Sequence, residues 1–131
     1  MRLFYIMRRR RRIRHARRPK RSSHEYLANK HAALTLATAK VVHFTARYGF
    51  EYTKITIRNQ RTRWGSCTEK GSLSFNYRIL FLSPEVQDYL VVHEVCHLDE
   101  LNHSQKFWDL VAREIPGYRE LRRRLKGIRI K

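Results

Sequence analysis

The stretch HEVCHLDELNH, from His93 to His103, crowds three histidines and several acidic side chains into eleven residues. Imidazole is the commonest metal-binding side chain, and a carboxylate beside a metal is a natural proton acceptor. The chemistry these residue types could do together is therefore metal-assisted hydrolysis. On a helix, residues four apart lie on one face, so His93 and His97 present two rings to a common point. Glu94 sits one residue round from His93, where its carboxylate reaches water near the metal rather than the metal itself. This is the HExxH arrangement, with two zinc ligands and Glu94 as general base. Zinc brings the pKa of bound water down to about 7, and the glutamate takes the proton as the water attacks a carbonyl.

HExxH alone fixes three letters in five, so a surface helix with two solvated histidines is its bland alternative. A catalytic zinc takes three protein ligands and keeps an open position. His103 follows His97 by six residues, just beyond the predicted helix end. Metzincins share that spacing but place a glycine midway, where this chain has Glu100. The turn must therefore be made differently, and Asn102, which tolerates left-handed backbone, is the candidate. Glu114 on the following helix is the competing third ligand, and His103 is preferred over it. Cys96 flanks the histidine face and is read as a small buried thiol outside the metal site. His15, His24, His31 and His43 are read as structural or solvated.

These side chains need a scaffold, and 131 residues allow one domain with a modest core. A Ser22/Glu25 pair at capping-box spacing opens an Ala- and Leu-rich helix predicted over about 24–47, ending before Gly49. YTKITIR then alternates with β-branched residues, as a strand does. TRWGSCTEKGSLSFNYRIL reads as two extended pieces joined at Glu69-Lys70-Gly71, a hairpin. Ser83-Pro84 caps a second helix predicted to run to Leu98 or Leu101 and to carry HEVCH. Ser104 starts a third, which stops at Pro116-Gly117, and YRELRRRLKGIRIK reads as a short basic helix that frays. Helix, strands, helix, helix is an α+β order with a small antiparallel sheet.

The net charge of +18 is unevenly placed. Residues 1–21 hold 11 Lys/Arg and no acid, and residues 119–131 hold 7 Lys/Arg against Glu120 alone, whereas residues 22–118 hold 11 Lys/Arg and 10 Asp/Glu. The chain thus divides into a basic, flexible arm over 1–21 and a folded domain over 22–131 with a basic tail. Basic ends on a near-neutral middle fit sequence-independent contacts to nucleic acid, which makes a nucleic-acid binder on a zinc-stabilised scaffold the alternative function. Two cysteines are too few for a disulfide framework. No apolar run approaches a membrane span, and the N-terminus lacks the order of a signal peptide, so the expected setting is cytoplasmic with no membrane partner.

Several pieces in a fixed order carry a resemblance: RWGSC (Arg63 to Cys67), Asn76, HEVCH, NHS (Asn102 to Ser104) and Phe107-Trp108. The chain from about Ile55 to Leu125 resembles the YgjP-like metallopeptidase family, minimal zincins related to the SprT-like and WLM proteins. The resemblance implies a minimal zincin-like fold, with a small sheet over the active-site helix. It implies a single zinc on His93, His97 and His103, Glu94 as base, and a peptide or protein substrate. Longer members carry a further β-rich region upstream, where this chain has only the Arg-rich arm. Trp64, Phe107 and Trp108 are expected in the core rather than in a cleft, and Gly65 at a bulge or close backbone approach. An edge strand is the candidate for pairing with extended substrate. Arg61, Arg63 or Arg78 could hold a substrate carboxylate, but the preferred reading is solvated strand charges; Tyr118 could stabilise an oxyanion but is not assigned that role.

Overall fold

The computed structural model describes residues 20–130, with side chains from residue 23. The expected arm over 1–21 therefore lies almost wholly outside the described residues. Helix α1, Lys20–Tyr48, is followed by strands β1 (Lys54–Arg58), β2 (Gly65–Cys67) and β3 (Ser72–Asn76) and a 3₁₀ segment, Tyr77–Phe81. Helices α2 (Pro84–Cys96), α3 (Gln105–Glu114) and α4 (Tyr118–Gly127) complete the chain. No helix among the described residues is long and apolar enough to cross a membrane.

The α+β reading stands, with two corrections. First, the sheet is mixed, not antiparallel. The order is β1-β3-β2, with β1 parallel to β3 and β2 antiparallel to it. The hairpin forms as expected, with Gly71 at φ 82° in its turn. The chain skips one position between β1 and β2, so β3 inserts between them and β2 is left at the edge. Second, the C-terminal tail does not fray. Leu125 is buried, Leu121 is half-buried against the core, and α4 packs on α2. Leu121 and Leu125, four apart, give the basic helix an apolar stripe that outweighs the repulsion among its arginines.

Helix boundaries follow local chemistry. Helix α1 starts at Lys20, so Ser22 lies inside it and is not its cap. It buries Ala33, Ala37, Val41, Phe44 and Tyr48, the spacing of one helical face, and ends at Gly49 with φ 75°. Ser83 takes the N-cap position of α2 with Pro84 next, but its hydroxyl makes no cap bond and accepts from Arg124 Nη2 instead, whereas the Ser104 hydroxyl caps α3 by accepting from Phe107 N. Ten residues of α2 are buried, because α1, α3, α4 and β2 all pack on it. The Tyr26 hydroxyl donates to Ile57 O (3.1 Å) and that of Tyr48 to Leu110 O (2.6 Å), tying α1 to β1 and α3.

Candidate metal centre

Helix α2 ends at Cys96, with His97 as its C-cap at φ −67°, ψ −15°. This is shorter than the predicted end at Leu98 or Leu101. The chain tightens instead, with Asp99 N and Glu100 N both bonding to Cys96 O. No non-glycine residue among the described ones has positive φ, so Asn102 does not make the turn in the expected left-handed conformation. A 3₁₀-like tightening over 97–99 and a bend at Asn102 bring His103 back over the helix end.

The three rings converge. His93 Nε2 lies 3.2 Å from His97 Nε2, and His103 Nε2 lies 3.1 Å from each of them. A tetrahedral zinc with bonds of about 2.0–2.1 Å has ligand atoms about 3.3–3.4 Å apart, so this triangle fits one face of such an ion and leaves a fourth position open. The ring orientations fit too. His97 Nδ1 donates to Glu100 O (2.9 Å), which leaves Nε2 with its lone pair facing the other rings. His93 Nδ1 lies 3.3 Å from the Tyr89 hydroxyl, one turn earlier on α2.

Phe107 fixes the cluster from below. Its ring is fully buried, stacks on His97 at 4.4 Å and 18°, and meets His93 and His103 edge-on. Burial, with the neighbouring His97, His103 and Arg122, holds the His93 imidazole well below its usual pKa. Burial, then His97 and Arg122, brings His103 down to about 4. Both rings are therefore neutral near pH 7, the form that offers lone pairs to a metal.

The structure does not bring Glu114 to the cluster; its Oε1 accepts from Arg47 Nε at 2.6 Å at the far end of α3. Cys96 and Cys67 are both buried, and burial pushes the Cys96 thiol up to about 12, an inert core thiol as expected. His24, His31 and His43 are exposed on α1, and His15 lies outside the described residues. Glu94 is 2% exposed and lies under β2. A Cβ on Gly65 would sit 3.1 Å from Glu94 Cγ and 3.0 Å from Ser74 O, so the close backbone approach expected at Gly65 is made onto the carboxylate side chain itself.

A cavity of about 410 Å³ opens on this side, with His93, Glu94, Trp64 and Gly65 among its lining residues. Phe107 is core as expected, but Trp64 belongs to this cleft, and half-buried Trp108 carries the Arg122 guanidinium at 4.9 Å from its ring centre. Tyr118 stacks on the same indole (5.0 Å, 13°). The reading of Arg61, Arg63 and Arg78 as solvated charges holds for exposed Arg61 and is corrected for half-buried Arg63 and buried Arg78. Arg61 and Arg63 line the cleft, and Arg78 is buried, bonding through Nη1 to Asn59 Oδ1, Gln60 O and Asn76 Oδ1. Asn76 donates to the carbonyls of Gln60 and Arg63. Together they pin the 59–64 connection across the sheet end. Arg122 was hidden in the basic tail; its place between Leu121 and Leu125 on an amphipathic helix was the available signal.

The family profile of the YgjP-like metallopeptidase domain matches residues 7–127. The chain belongs to the YgjP-like metallopeptidase family. Family members are metallopeptidases, and the three-histidine cluster lies inside the matched region. Among solved structures, the metallopeptidase zymogen abylysin of Pyrococcus abyssi superposes with a TM-score of 0.62 and 24% identity, over 68% of this chain and 90% of that one. The metallopeptidase zymogen jannalysin of Methanocaldococcus jannaschii gives 0.61 and 18%, over 69% and 93%. At these identities the two likenesses establish the fold, a minimal metallopeptidase scaffold. No curated protein matches the chain significantly.

Proposed function

We propose that the protein is a zinc-dependent peptidase with one ion per chain on His93, His97 and His103, and with Glu94 as general base. The convergence of three Nε2 atoms within about 3.2 Å supports this reading most directly. A zinc ion held there supplies Lewis-acid polarisation of water and of a peptide carbonyl. The chain's own part is proton transfer and positioning. The Glu94 carboxylate takes a proton from the attacking water and delivers it to the departing amine nitrogen. Gly65 lets β2 lie against Glu94, which limits where the carboxylate can move. Among the described residues strand β2 pairs only with β3, so its other edge is the place for an extended substrate to add a strand.

The setting we propose is reducing and cytoplasmic, one in which buried thiols such as Cys67 and Cys96 persist. No observation among the described residues favours the nucleic-acid reading, and Arg122 and Lys126 of the basic tail line the cleft instead.

The test is Glu94→Gln, which keeps size and most hydrogen bonding but cannot accept the proton. The variant should keep its zinc and its melting temperature while losing at least about 10²-fold in kcat on any peptide the native chain cleaves. Equal rates at matched zinc occupancy would exclude Glu94 as the base.

A further inference from the structure

We propose that Arg122 is a catalytic residue of this site, its guanidinium donating to the carbonyl oxygen of the scissile peptide as that oxygen gains negative charge. The inference deepens the peptidase reading above and rests on it. When water adds to a peptide carbonyl, the new C–O bond pushes the π pair onto the carbonyl oxygen, and the water's proton goes to Glu94. The pair returns when the C–N bond breaks and the amine nitrogen leaves with that proton. A donor aimed at this oxygen therefore binds the transition state better than the substrate. Arg122 comes from α4 and lines the cavity together with His93 and Glu94, whereas Glu94 is backed by Gly65 of β2. Base and donor thus reach the reacting carbonyl from different elements.

Packing on the histidine cluster sets the position of Arg122. Its guanidinium lies over the Trp108 ring, 4.9 Å from the centre, and Trp108 meets His93 at 5.9 Å and His103 at 5.8 Å. The charge is close enough to depress the basicity of both rings. Leu121 and Leu125 hold α4 on the core on either side of Arg122. Tyr118, the other candidate donor, stacks on the indole at 5.0 Å and 13° and does not line the cavity, so it braces the platform instead. The remaining donors of the cavity are less suited. Arg61 and Lys126 are exposed, and Arg63 is shared with a second, polar cavity beside Ser66 and Ser74. The Tyr89 hydroxyl lies at His93 Nδ1, the nitrogen that does not face the other rings. The role asks for aimed N–H groups, not for an unpaired charge. A guanidinium carries five of them, so one bonded elsewhere through some keeps others for substrate.

The experiment uses the full, zinc-loaded chain, with zinc content and melting temperature matched across variants. Arg122→Gln should lower kcat about 10²-fold on a peptide that the native chain cleaves, with KM within about 3-fold. Arg119→Gln removes the same charge from an exposed position of α4 and should keep both constants; an equal fall there would trace the effect to bulk charge and overturn the proposal. Binding supplies a second readout. A labelled phosphinic peptide, whose tetrahedral phosphinate carries charge where the carbonyl oxygen would, should bind Arg122→Gln about 10²-fold more weakly than the native chain. The matched amide peptide, titrated against Glu94→Gln so that turnover does not interfere, should bind equally with and without Arg122→Gln. The phosphinic peptide titrated against the same two chains separates direct contact from an effect through the base. Weakening that persists without the Glu94 carboxylate is direct, and its disappearance would mean that Arg122 acts through Glu94 and overturns the proposal. Should Arg122→Gln fold poorly, Arg122→Met keeps the packing of the stem without N–H groups and is read in the same way. If no peptide is cleaved, the peptidase reading fails by itself and the phosphinate titrations decide: binding that depends on Arg122 sustains the donor, and equal or undetectable binding by native and variant chains overturns it.

Discussion

Gly65→Ala adds one methyl group where β2 meets the candidate base. The new Cβ would stand 3.0 Å from Ser74 O and 3.1 and 3.4 Å from Glu94 Cγ and Cδ. Ordinary carbon contacts begin near 3.4 Å, so something must yield by a few tenths of an ångström. Ser74 O belongs to the backbone of β3, which pairs on both sides, and cannot retreat without stretching the sheet. Glu94 is 2% exposed and has little room either. Overpacking of this kind costs about 1–3 kcal/mol. The larger effect falls on catalysis. Moving a catalytic group by about 1 Å can cost 10²-fold, so a shift of a few tenths should lower kcat by roughly 3- to 30-fold. The histidine rings are not among the contacts, so zinc affinity should stay within about 3-fold of native. The assay is kcat at full zinc occupancy beside urea denaturation of the same preparation. Gly49→Ala serves as the control. Its φ of 75° makes alanine cost about 1 kcal/mol at the end of α1, but no atom crowds the added methyl group and activity should not change. If Gly65→Ala matches Gly49→Ala in activity, the packing of β2 on Glu94 does not position the base.

Three further outcomes follow from the same geometry. His103→Ala should weaken zinc binding at least about 10²-fold, whereas Glu114→Ala, which loses only its pair with Arg47, should leave it within about 3-fold; competition with a chromophoric chelator reads both, and the reverse order would reassign the third ligand. Tyr89→Phe removes the hydroxyl 3.3 Å from His93 Nδ1 and should lower zinc affinity about 10-fold with little change in melting temperature; unchanged affinity would mean that the contact does not orient the ring. Cys96 and Cys67 should both resist alkylation at pH 8 until the chain is unfolded in urea, because both thiols are buried; fast labelling of either in the native protein would refute that burial.

What could be read from the sequence was whatever depends on neighbours within one or two turns. The spacing of His93, Glu94 and His97, the caps at Ser83-Pro84 and Ser104, and the hairpin at Gly71 are local, and each is found where the residues point. His103 was within reach because six residues limit how far a turn can wander. What escaped depends on which distant piece lies alongside. Nothing in KITIR states that it pairs parallel with SLSFN across thirteen intervening positions, and a β1-β2-β3 meander satisfies the same alternation. Asn76 decides between them. At the end of β3 its side chain reaches the carbonyls of Gln60 and Arg63, and its own N–H donates to Trp64 O (2.7 Å), so the connection from β1 must pass over the end of β3 before β2 begins. That crossing does three things at once. It leaves β2 as an edge, lays Gly65 on Glu94, and turns Arg61 and Arg63 into the cleft where α4 brings Arg122 and Lys126. One buried amide thus couples sheet order to the shape and charge of the site, although none of those consequences is visible within ten residues of it.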